Sequence, residues 1–536
     1  MRFLVLSLFI CLSSLLPAQI NFGVTVMDDP SPGYRLISPT RSNSSFLIDS
    51  CGQVVHSWLG SGSPGLAVYL TEDGSLVRTQ KRQLGNISSG GSGGQIVILD
   101  WDSNLLLDYT LSNADYQLHH DVQPLSNGNI LVIAWERIGR DEAIQGGRNE
   151  EYLTANADLW SEVIYELKPS GLNDVDIVWE WHAWDHIIQE RSPLRDNFGI
   201  LEDHPGKINL EINPRQASDW LHFNHIDYHK EKDLILISSR SASEIYIIDH
   251  STTSAEAAGD AGGDYGRGGE ILYRWGNPFN YGQGTIDDQV FVGQHAAQWI
   301  EHGGKQSDSI IVFNNGADLT GQQSAVQIIV PEVVDMEYQV NNSGKYLPES
   351  VAWDYRDTDI LSPTTSAGYY QSNDRILITV GNKGTLVEVD LDKNIRWRYQ
   401  NPVGRNILGQ MDPIGGLNGH GIFKALHYDH KYPAFRGRSL VAGDPLERDV
   451  IELLCEMTTS IADVSKNHLE IYPNPAYGSV LISNKEESPV QIEVISMATG
   501  SKVSDFTLSG QKWLDLNPGI YAITGRGIAS KLVVVH

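Results

Sequence analysis

The sequence is poor in the features that mark several large classes of protein. It has three cysteines in 536 residues, too few for a disulfide-scaffolded secreted domain, and no two of them stand at the spacing of a structural zinc site. Only 20% of the residues are charged, and Asp plus Glu outnumber Lys plus Arg by 67 to 39. Because a surface this negative repels phosphate backbones and anionic membranes, we expect no nucleic-acid partner.

Apolar runs long enough to span a bilayer are also missing, so we expect no transmembrane segment. The first 18 residues have the layout of a cleaved export signal, with one charge at Arg2, an apolar run from Phe3 and a small residue at Ala18. We therefore expect a soluble protein that passes through the periplasm and is secreted or displayed at the cell surface. The remaining Cys51 and Cys455 are equally compatible with a disulfide and with two thiols.

Short strand-like runs fill the chain, and helical periodicity is almost absent. Runs such as LILISS are followed by a second strand such as EIYIID, and the units end in an aromatic residue after a turn. The six aromatic markers are Trp58, Tyr109, Trp181, Trp275, Tyr338 and Trp397. Sheets of about four strands bury both faces when they stack radially. The sequence therefore predicts an all-β fold, with a six-bladed β-propeller over residues 19–457.

The composition changes near residue 460, and residues 463–536 predict a separate small β-sandwich. This segment resembles the C-terminal sorting domain of bacterial type IX secretion substrates, through YPNPA (472–476), GIYAITG (519–525) and the terminal strand KLVVVH. The resemblance implies the type IX secretion machinery as a partner, and surface attachment or release after cleavage of the domain. An ordinary accessory sandwich is the alternative.

Histidines cluster at the predicted starts of the strands that converge on the mouth of the central channel. The clusters are LHHDVQ, DWLHFNHIDYH, GQHAAQW and NGHGIFKALHYDH. Since a single histidine is more often structural than functional, some members of the clusters and one histidine outside them are interpreted as core or surface residues. These are His225, His229, His302, His427 and His430.

Three of these clusters and a nearby arginine resemble the bacterial arylsulfate sulfotransferase family. The segment DWLHFNHIDYHKEKDLILISSR carries the family's His-x-Asn pair at His222 and Asn224, and its arginine at Arg240. The QHAAQW segment matches the family's active-site Gln-His segment and places the nucleophile at His295. The HHD segment matches a blade that supplies a further site histidine, for which we choose His120 over His119.

The resemblance covers most of residues 30–440 and implies a ping-pong transfer of a sulfuryl group from an aryl sulfate to a phenol. His295 would attack the sulfur and hold the group as a sulfohistidine. Arg240 offers a planar fork for two sulfuryl oxygens, and Asn224, His222 and His120 donate hydrogen bonds or protonate the leaving phenolate. The chemistry needs no nucleotide or metal cofactor, and a homodimer is compatible with the sequence.

Two other functions remain open at this stage. A metal-binding propeller would use imidazole ligands, although the charge of Arg240 opposes a cation; the candidate ligands are His120, His222, His225 and His295. A secreted carbohydrate-binding or adhesive propeller would stack sugars on the aromatic residues of its loops. The candidate aromatics are Trp181, Trp184 and Trp299.

Overall fold

A computed structural model divides the chain into two compact units, residues 1–451 and 452–536. The described residues are 20–300, 308–414, 419–451, 453–455, 469–472, 476–477, 479–484, 490–496, 501–509, 511–517, 519–525 and 528–535. The predicted export signal at residues 1–18 lies outside them.

The first unit is a six-bladed β-propeller, which confirms the predicted fold class. Each blade is an antiparallel sheet of four strands. From the inner to the outer strand, blades 1 to 3 are Ile422–Tyr428, Tyr34–Pro39, Ser44–Ile48 and Val54–Leu59; Pro64–Leu70, Leu76–Lys81, Gly94–Leu99 and Leu105–Thr110; and Tyr116–Pro124, Ile130–Ile138, Leu159–Pro169 and Val175–His182. Blades 4 to 6 are Phe223–His229, Leu234–Ser239, Glu244–Asp249 and Tyr273–Trp275; His295–Ile300, Ser309–Asn314, Ala325–Ile329 and Trp353–Arg356; and Ala367–Gln371, Arg375–Val380, Thr385–Asp390 and Ile395–Gln400.

Within the described propeller, helical structure is confined to the loops. The α-helices are Arg140–Gly146 and Ser254–Ala257, and the 3-10 turns are Glu150–Tyr152, Ala183–His186, Leu201–Asp203, Pro278–Tyr281, Ile286–Asp288, Thr358–Ile360 and Pro433–Phe435. Two small strand pairs, Ile187–Ile188 with Ile208–Asn209 and Val333–Val334 with Glu337–Tyr338, complete the loops. Among the described residues no helix has the length and apolarity that a membrane span requires.

The middle strands of the blades are buried on both faces because each sheet packs between two others. Every residue of Leu234–Ser239 and of Glu244–Asp249 is buried. The outer strand Val175–His182, in contrast, exposes three consecutive residues near its start. Apolar residues in the middle strands therefore face the core on either side, and the alternation typical of a half-exposed strand is lost there.

Tryptophans on the outer strands tie neighbouring blades together. In blades 3 to 6, the indole N–H donates to a backbone carbonyl between the third and fourth strands of the next blade. The bonds are Trp181 to Gly269 (2.7 Å), Trp275 to Pro348 (2.8 Å), Trp353 to Leu391 (2.9 Å) and Trp397 to Ser50 (2.7 Å). The prediction that Tyr338 marks the fifth unit is therefore wrong. Tyr338 lies in a separate hairpin inserted before the outer strand, and Trp353 holds the marker position.

The ring closes with strands from both ends of the propeller sequence. The inner strand of blade 1, Ile422–Tyr428, pairs antiparallel with Tyr34–Pro39, so that Leu426 faces Leu36. On blade 6, Gly23–Met27 adds a fifth strand beyond Ile395–Gln400. Two separate strand pairings thus join the first and last segments of the propeller and close the ring.

The second unit contains two sheets, which fit the predicted small β domain. The three-stranded sheet is Leu469–Tyr472, Ser479–Asn484 and Gln511–Asp515, and the five-stranded sheet is Ala476–Tyr477, Ile528–Val535, Gly519–Gly525, Val490–Ser496 and Lys502–Leu508. Residues 473–475 of the YPNPA motif lie outside the described residues. Cys51 and Cys455 are both disulfide-bonded, so the reading as two thiols is wrong.

Candidate active site

The candidate histidines lie in or just before the inner strands of blades 3, 4 and 5. His120 is in the middle of Tyr116–Pro124, His222 directly precedes Phe223–His229, and His295 begins His295–Ile300. The pairing register shifts beside each of them. The backbone is left-handed at His120 (φ 46°), at His222 (φ 52°) and at Ala296 (φ 53°). Such conformations are unfavourable for residues other than glycine and recur at functional sites. A bulge with a left-handed residue redirects the side chains at the strand start.

His295 is held as one tautomer by Asn315, which follows the second strand of the same blade. The amide nitrogen of Asn315 donates to the carbonyls of Ser362 (2.8 Å) and Thr365 (3.0 Å), so its oxygen faces His295. That oxygen lies 2.7 Å from Nδ1 of His295 and can only accept, which places the ring proton on Nδ1. The carbonyl of Gly293 accepts from the same nitrogen at 3.0 Å. Nε2 therefore carries the lone pair.

The surroundings keep His295 neutral. The side chain is 3% exposed. Burial lowers the pKa of His295 to about 3, because the opposing hydrogen bond to Asn315 is too weak to offset it and the charge of Arg240 adds to the shift. Nε2 accepts a hydrogen bond from the backbone N–H of Thr365 at 3.2 Å. A neutral imidazole is a nucleophile that needs no prior deprotonation, and here the hydrogen bond from Thr365 has to break before Nε2 can attack.

His222 is oriented by Asp219, which lies three residues before it. Nδ1 of His222 is 2.5 Å from Oδ2 of Asp219. Burial would raise the pKa of Asp219, but the hydrogen bond and the charge of His222 outweigh it and the pKa is lowered. The carboxylate therefore accepts the Nδ1 proton and leaves Nε2 of His222 free for other partners. The ring of His222 lies 4.6 Å from that of His120, centroid to centroid.

Arg240 follows the second strand of blade 4 and lies beside the loop that leads to His295. Its backbone N–H donates to the carbonyl of His222 at 3.1 Å. A methyl group added at Gly293 would lie 3.8 Å from Nε of Arg240, so the guanidinium runs along the backbone two residues before His295. Burial lowers the pKa of Arg240 below its usual value, with the charge of Asp219 opposing the shift. Within the described residues the guanidinium makes no ion pair, and its charge is available to an anion.

His120 and His119 occupy different positions, although they are adjacent in sequence. The ring of His119 is stacked on Trp135 and lies between Glu162 and His120. The ring of His120 instead lies next to His222 and packs over Gly91, where any Cβ atom would overlap it. Burial lowers the pKa of His120 well below its usual value, and the nearby His222, His295 and Arg240 lower it further. Of the two, His120 is the one that adjoins the other candidate residues.

Asn224 is fully buried and joins two of the strand starts. Its amide nitrogen donates to the carbonyl of Gln294 at 2.7 Å, which fixes the residue before His295. Its Oδ1 has no hydrogen-bond partner among the described residues. The resemblance assigns Asn224 a donor role toward the sulfuryl group, whereas the bond seen here positions the loop that carries His295.

The sequence interpretation missed the residues that orient the histidines. Asn315 and Asp219 each hold one Nδ1 atom, but a lone asparagine after a strand and an aspartate in DWLH give no distinctive signal. Four of the five histidines interpreted as structural have structural neighbours. His225 contacts Asp121, His229 contacts Asp308, His427 contacts the carbonyl of Pro32, and His430 packs against Tyr34. His302 lies outside the described residues.

A buried ionic network lies further along the inner strands than the candidate site. Lys424 of blade 1, Asp121 of blade 3, His225 of blade 4 and Tyr69 of blade 2 contact one another there. Burial would raise the pKa of Asp121, but the charges of Lys424 and His225 lower it. Beyond this network, at the carboxyl ends of the inner strands, is a cavity of about 910 Å³ whose lining includes none of the five candidate residues.

The structure also bears on the two alternative functions. Trp181 is 1% exposed, so it presents no face on which a sugar ring can stack, whereas Trp299 is 8% exposed and belongs to the lining of the cavity. This removes Trp181 from the carbohydrate-binding interpretation. In the described part of the chain, no group of three His, Cys, Asp or Glu side chains is arranged to hold a metal ion.

The chain resembles known proteins at the level of a family model and of solved structures. The sequence matches the arylsulfotransferase (ASST) family model over residues 36–403. No curated protein matches it. Similar solved structures include a protein of unknown function from Bacteroides caccae (11% identity, covering 69% of this chain and 94% of that chain, TM-score 0.36). Another is virginiamycin B lyase from Staphylococcus aureus (10% identity, covering 72% of this chain and 90% of that chain, TM-score 0.32).

Proposed function

The chain belongs to the arylsulfotransferase family, and on this premise we propose that it transfers a sulfuryl group from an aryl sulfate to a phenol through a sulfohistidine on His295. The observation that carries the proposal is the tautomer of His295. Asn315 holds the proton on Nδ1, 2.7 Å away, and burial keeps the ring neutral. Because the pKa of His295 is lowered to about 3, Nε2 stays unprotonated at neutral pH, and its lone pair can attack once the N–H of Thr365 moves away.

In the first half-reaction, Nε2 of His295 attacks the sulfur and the bond from sulfur to the aryl oxygen breaks. The transition state is loose, by analogy with phosphoryl transfer, so that negative charge spreads over the sulfuryl oxygens. The unpaired guanidinium of Arg240 lies beside the approach to His295 and balances that charge. The backbone N–H of Thr365, which now donates to Nε2, becomes free to donate to a sulfuryl oxygen once the electron pair of Nε2 is used.

The leaving phenolate takes a proton from a neighbouring imidazole, and the second half-reaction reverses these steps. His120 and His222 are the available acids, since their rings lie 4.6 Å apart and the charges of His295 and Arg240 act on His120. A second phenol then gives up its proton and attacks the sulfur, the bond from sulfur to Nε2 breaks, and a new aryl sulfate forms. The donor supplies the sulfuryl group, and no nucleotide enters the cycle.

The test is mass spectrometry of protein quenched after exposure to 4-nitrophenyl sulfate without an acceptor. We expect one added sulfuryl group on the peptide that contains His295, and its loss when phenol is added. His295→Asn should abolish the adduct. The matched control His427→Asn should retain it, because His427 lies at the carboxyl end of an inner strand and contacts only the carbonyl of Pro32 among hydrogen-bond partners described. An adduct on another residue would refute the assignment of the nucleophile.

We also propose that the chain is exported and that its C-terminal β domain is the signal for type IX secretion. Support comes from the leader-like residues 1–18 and from YPNPA and the terminal strand. N-terminal sequencing and intact-mass analysis of the protein from culture medium and from membranes test both points. A protein that begins at residue 1 and stays inside the cell would refute the export proposal.

A further inference from the structure

An unbroken line of hydrogen bonds runs from a buried carboxyl group to His120. Oε2 of Glu162 lies 2.9 Å from Nε2 of His119, and Nδ1 of His119 lies 2.9 Å from Nδ1 of His120. The side chains of Glu162 and His119 are fully buried. At the inner end of the line, Oε1 of Glu162 accepts from the backbone N–H of Phe223 at 2.8 Å. At the outer end, Nε2 of His120 makes no hydrogen bond within the described part of the chain and adjoins His222.

Burial favours the neutral forms of the groups in this line, although Glu162 and His119 are close enough for an ion pair. Burial raises the pKa of Glu162 well above its usual value, and the negative charges of Asp219 and Glu136 raise it further, against the Phe223 N–H. Burial lowers the pKa of His119 to about 3. A neutral carboxyl group donates its proton to Nε2 of His119. His119 then donates from Nδ1 to Nδ1 of His120, so that the ring proton of His120 is on Nε2.

We propose that Glu162 and His119 form a proton relay that makes His120 an acid in the first half-reaction and a base in the second. The inference rests on the proposed sulfuryl transfer. Glu162 and His119 do not touch the substrate, so they are positioning residues that act through His120. The geometry supports the relay because His119 has one ring nitrogen toward Glu162 and the other toward His120. A proton that enters one nitrogen of an imidazole can therefore be matched by a proton that leaves the other.

The protons balance in both directions. When the aryl oxygen leaves sulfur, it takes the Nε2 proton of His120; the Nδ1 proton of His119 moves to Nδ1 of His120, and the carboxyl proton of Glu162 moves to Nε2 of His119. Both imidazoles remain neutral and Glu162 becomes a carboxylate. When the acceptor phenol attacks, its proton enters Nε2 of His120 and the three transfers reverse. Glu162 thus supplies the proton in the first half-reaction, stays a carboxylate for the lifetime of the sulfohistidine and takes a proton back in the second half-reaction.

Glu162→Gln is the variant that separates this relay from a structural role. A glutamine amide can still accept from the Phe223 N–H and donate to Nε2 of His119, but it cannot release a proton. The measurement is the single-turnover rate of phenol release from two donors. One is 4-nitrophenyl sulfate, whose electron-poor phenolate leaves without a proton; the other is phenyl sulfate, whose phenolate is far more basic.

We expect Glu162→Gln to slow release from phenyl sulfate by about 10²–10⁴-fold, the usual contribution of general acid catalysis, and release from 4-nitrophenyl sulfate by only about threefold. His119→Gln interrupts the same line at its middle and should show the same dependence on the donor, which keeps the test valid if one variant folds poorly. The control is Glu166→Gln on the same strand, since Glu166 bonds Asn129 and His250 and not the candidate site. It should leave both rates unchanged.

Equal losses for the two donors in Glu162→Gln and His119→Gln would overturn the relay, because a misplaced or loosened site slows both reactions alike. Unchanged rates in both variants would overturn it as well. Either result would leave the proposed function standing, provided that the wild-type protein transfers the sulfuryl group. A wild-type protein that releases no phenol from either donor would instead refute the proposed function.

Discussion

The contact between Asn315 and His295 makes the pH dependence of the reaction predictable. In the wild-type protein an uncharged amide oxygen accepts the Nδ1 proton at 2.7 Å, and the pKa of His295 lies near 3. Asn315→Asp puts a negative charge at the same place. An opposite charge at this range favours the imidazolium and raises a histidine pKa by about 1–3 units. We therefore expect the pKa of His295 to rise to about 4–6 in the variant.

The assay is kcat/KM for 4-nitrophenyl sulfate with phenol as acceptor, followed from pH 4 to pH 9 by chromatography. Only the neutral form of His295 attacks, so the variant should lose activity as the pH falls through about 6 to 4, whereas the wild type should show no such loss from this group. At high pH we expect kcat/KM of the variant to be lower by about tenfold, because a carboxylate cannot donate to the carbonyls of Ser362 and Thr365 and roughly 1–3 kcal/mol of hydrogen bonding is lost.

Asn382→Asp is the matched control for this experiment. Asn382 accepts from the hydroxyl of Ser362 at 2.8 Å and does not bond His295. Because Ser362 in turn accepts from Asn315, the new charge lies two hydrogen bonds further from the ring. Its acid profile should stay close to that of the wild type. Identical profiles for Asn315→Asp and the wild type would refute the tautomer assignment. A wild-type loss of activity near pH 6.5 that belongs to His295 would refute it equally.

Three further predictions concern charge and stability. Arg240→Lys should lower kcat by about 10–100-fold in steady-state assays, because a point charge replaces a planar fork, and a fully active variant would contradict the role of Arg240. His295→Asn should abolish transfer and should also change how stability depends on pH. Unfolded His295 binds a proton near pH 6.5 and folded His295 near pH 3, so the wild type loses on the order of 3–5 kcal/mol of its free energy of unfolding, relative to the variant, as the pH falls between these values. Urea titrations at several pH values measure this difference. Parallel pH curves would contradict this. Asp121→Asn should destabilise the propeller by about 3–5 kcal/mol in the same titrations, since Lys424 is left buried without its partner, and a change below about 1 kcal/mol would show that water solvates the lysine.

The repeat pattern in the sequence was enough to predict the propeller, because the aromatic residue at the end of a unit contacts the next blade. Trp181, Trp275 and Trp397 each fix the next blade through one indole hydrogen bond. The fifth marker could not be predicted correctly, since an inserted hairpin carries Tyr338 in a context that imitates a unit end. The signal that identifies Trp353 is its bond to Leu391, and sequence does not show this bond.

The candidate site could be predicted in outline and not in its hydrogen bonds. The resemblance selected His120, His222 and His295, and the structure brings the segments that carry them together. Glu162 was missed for a physical reason. In SEVIYEL it reads as one of the polar positions that alternate toward solvent on a half-exposed strand, but a blade packed on both faces buries such positions. Which polar residue faces which histidine depends on the register between strands far apart in sequence.

The strand that completes blade 1 has a consequence for how the protein is made. All five candidate residues lie between positions 120 and 295, but the ring is joined only when Ile422–Tyr428 docks beside Tyr34–Pro39. A growing polypeptide that has been synthesised as far as Gln400 therefore contains all five candidate residues. It still lacks the inner strand of blade 1, which lines the central channel. The protein should therefore become active late and in a single step, when this last strand pairs, and a partly synthesised chain should have no partial activity.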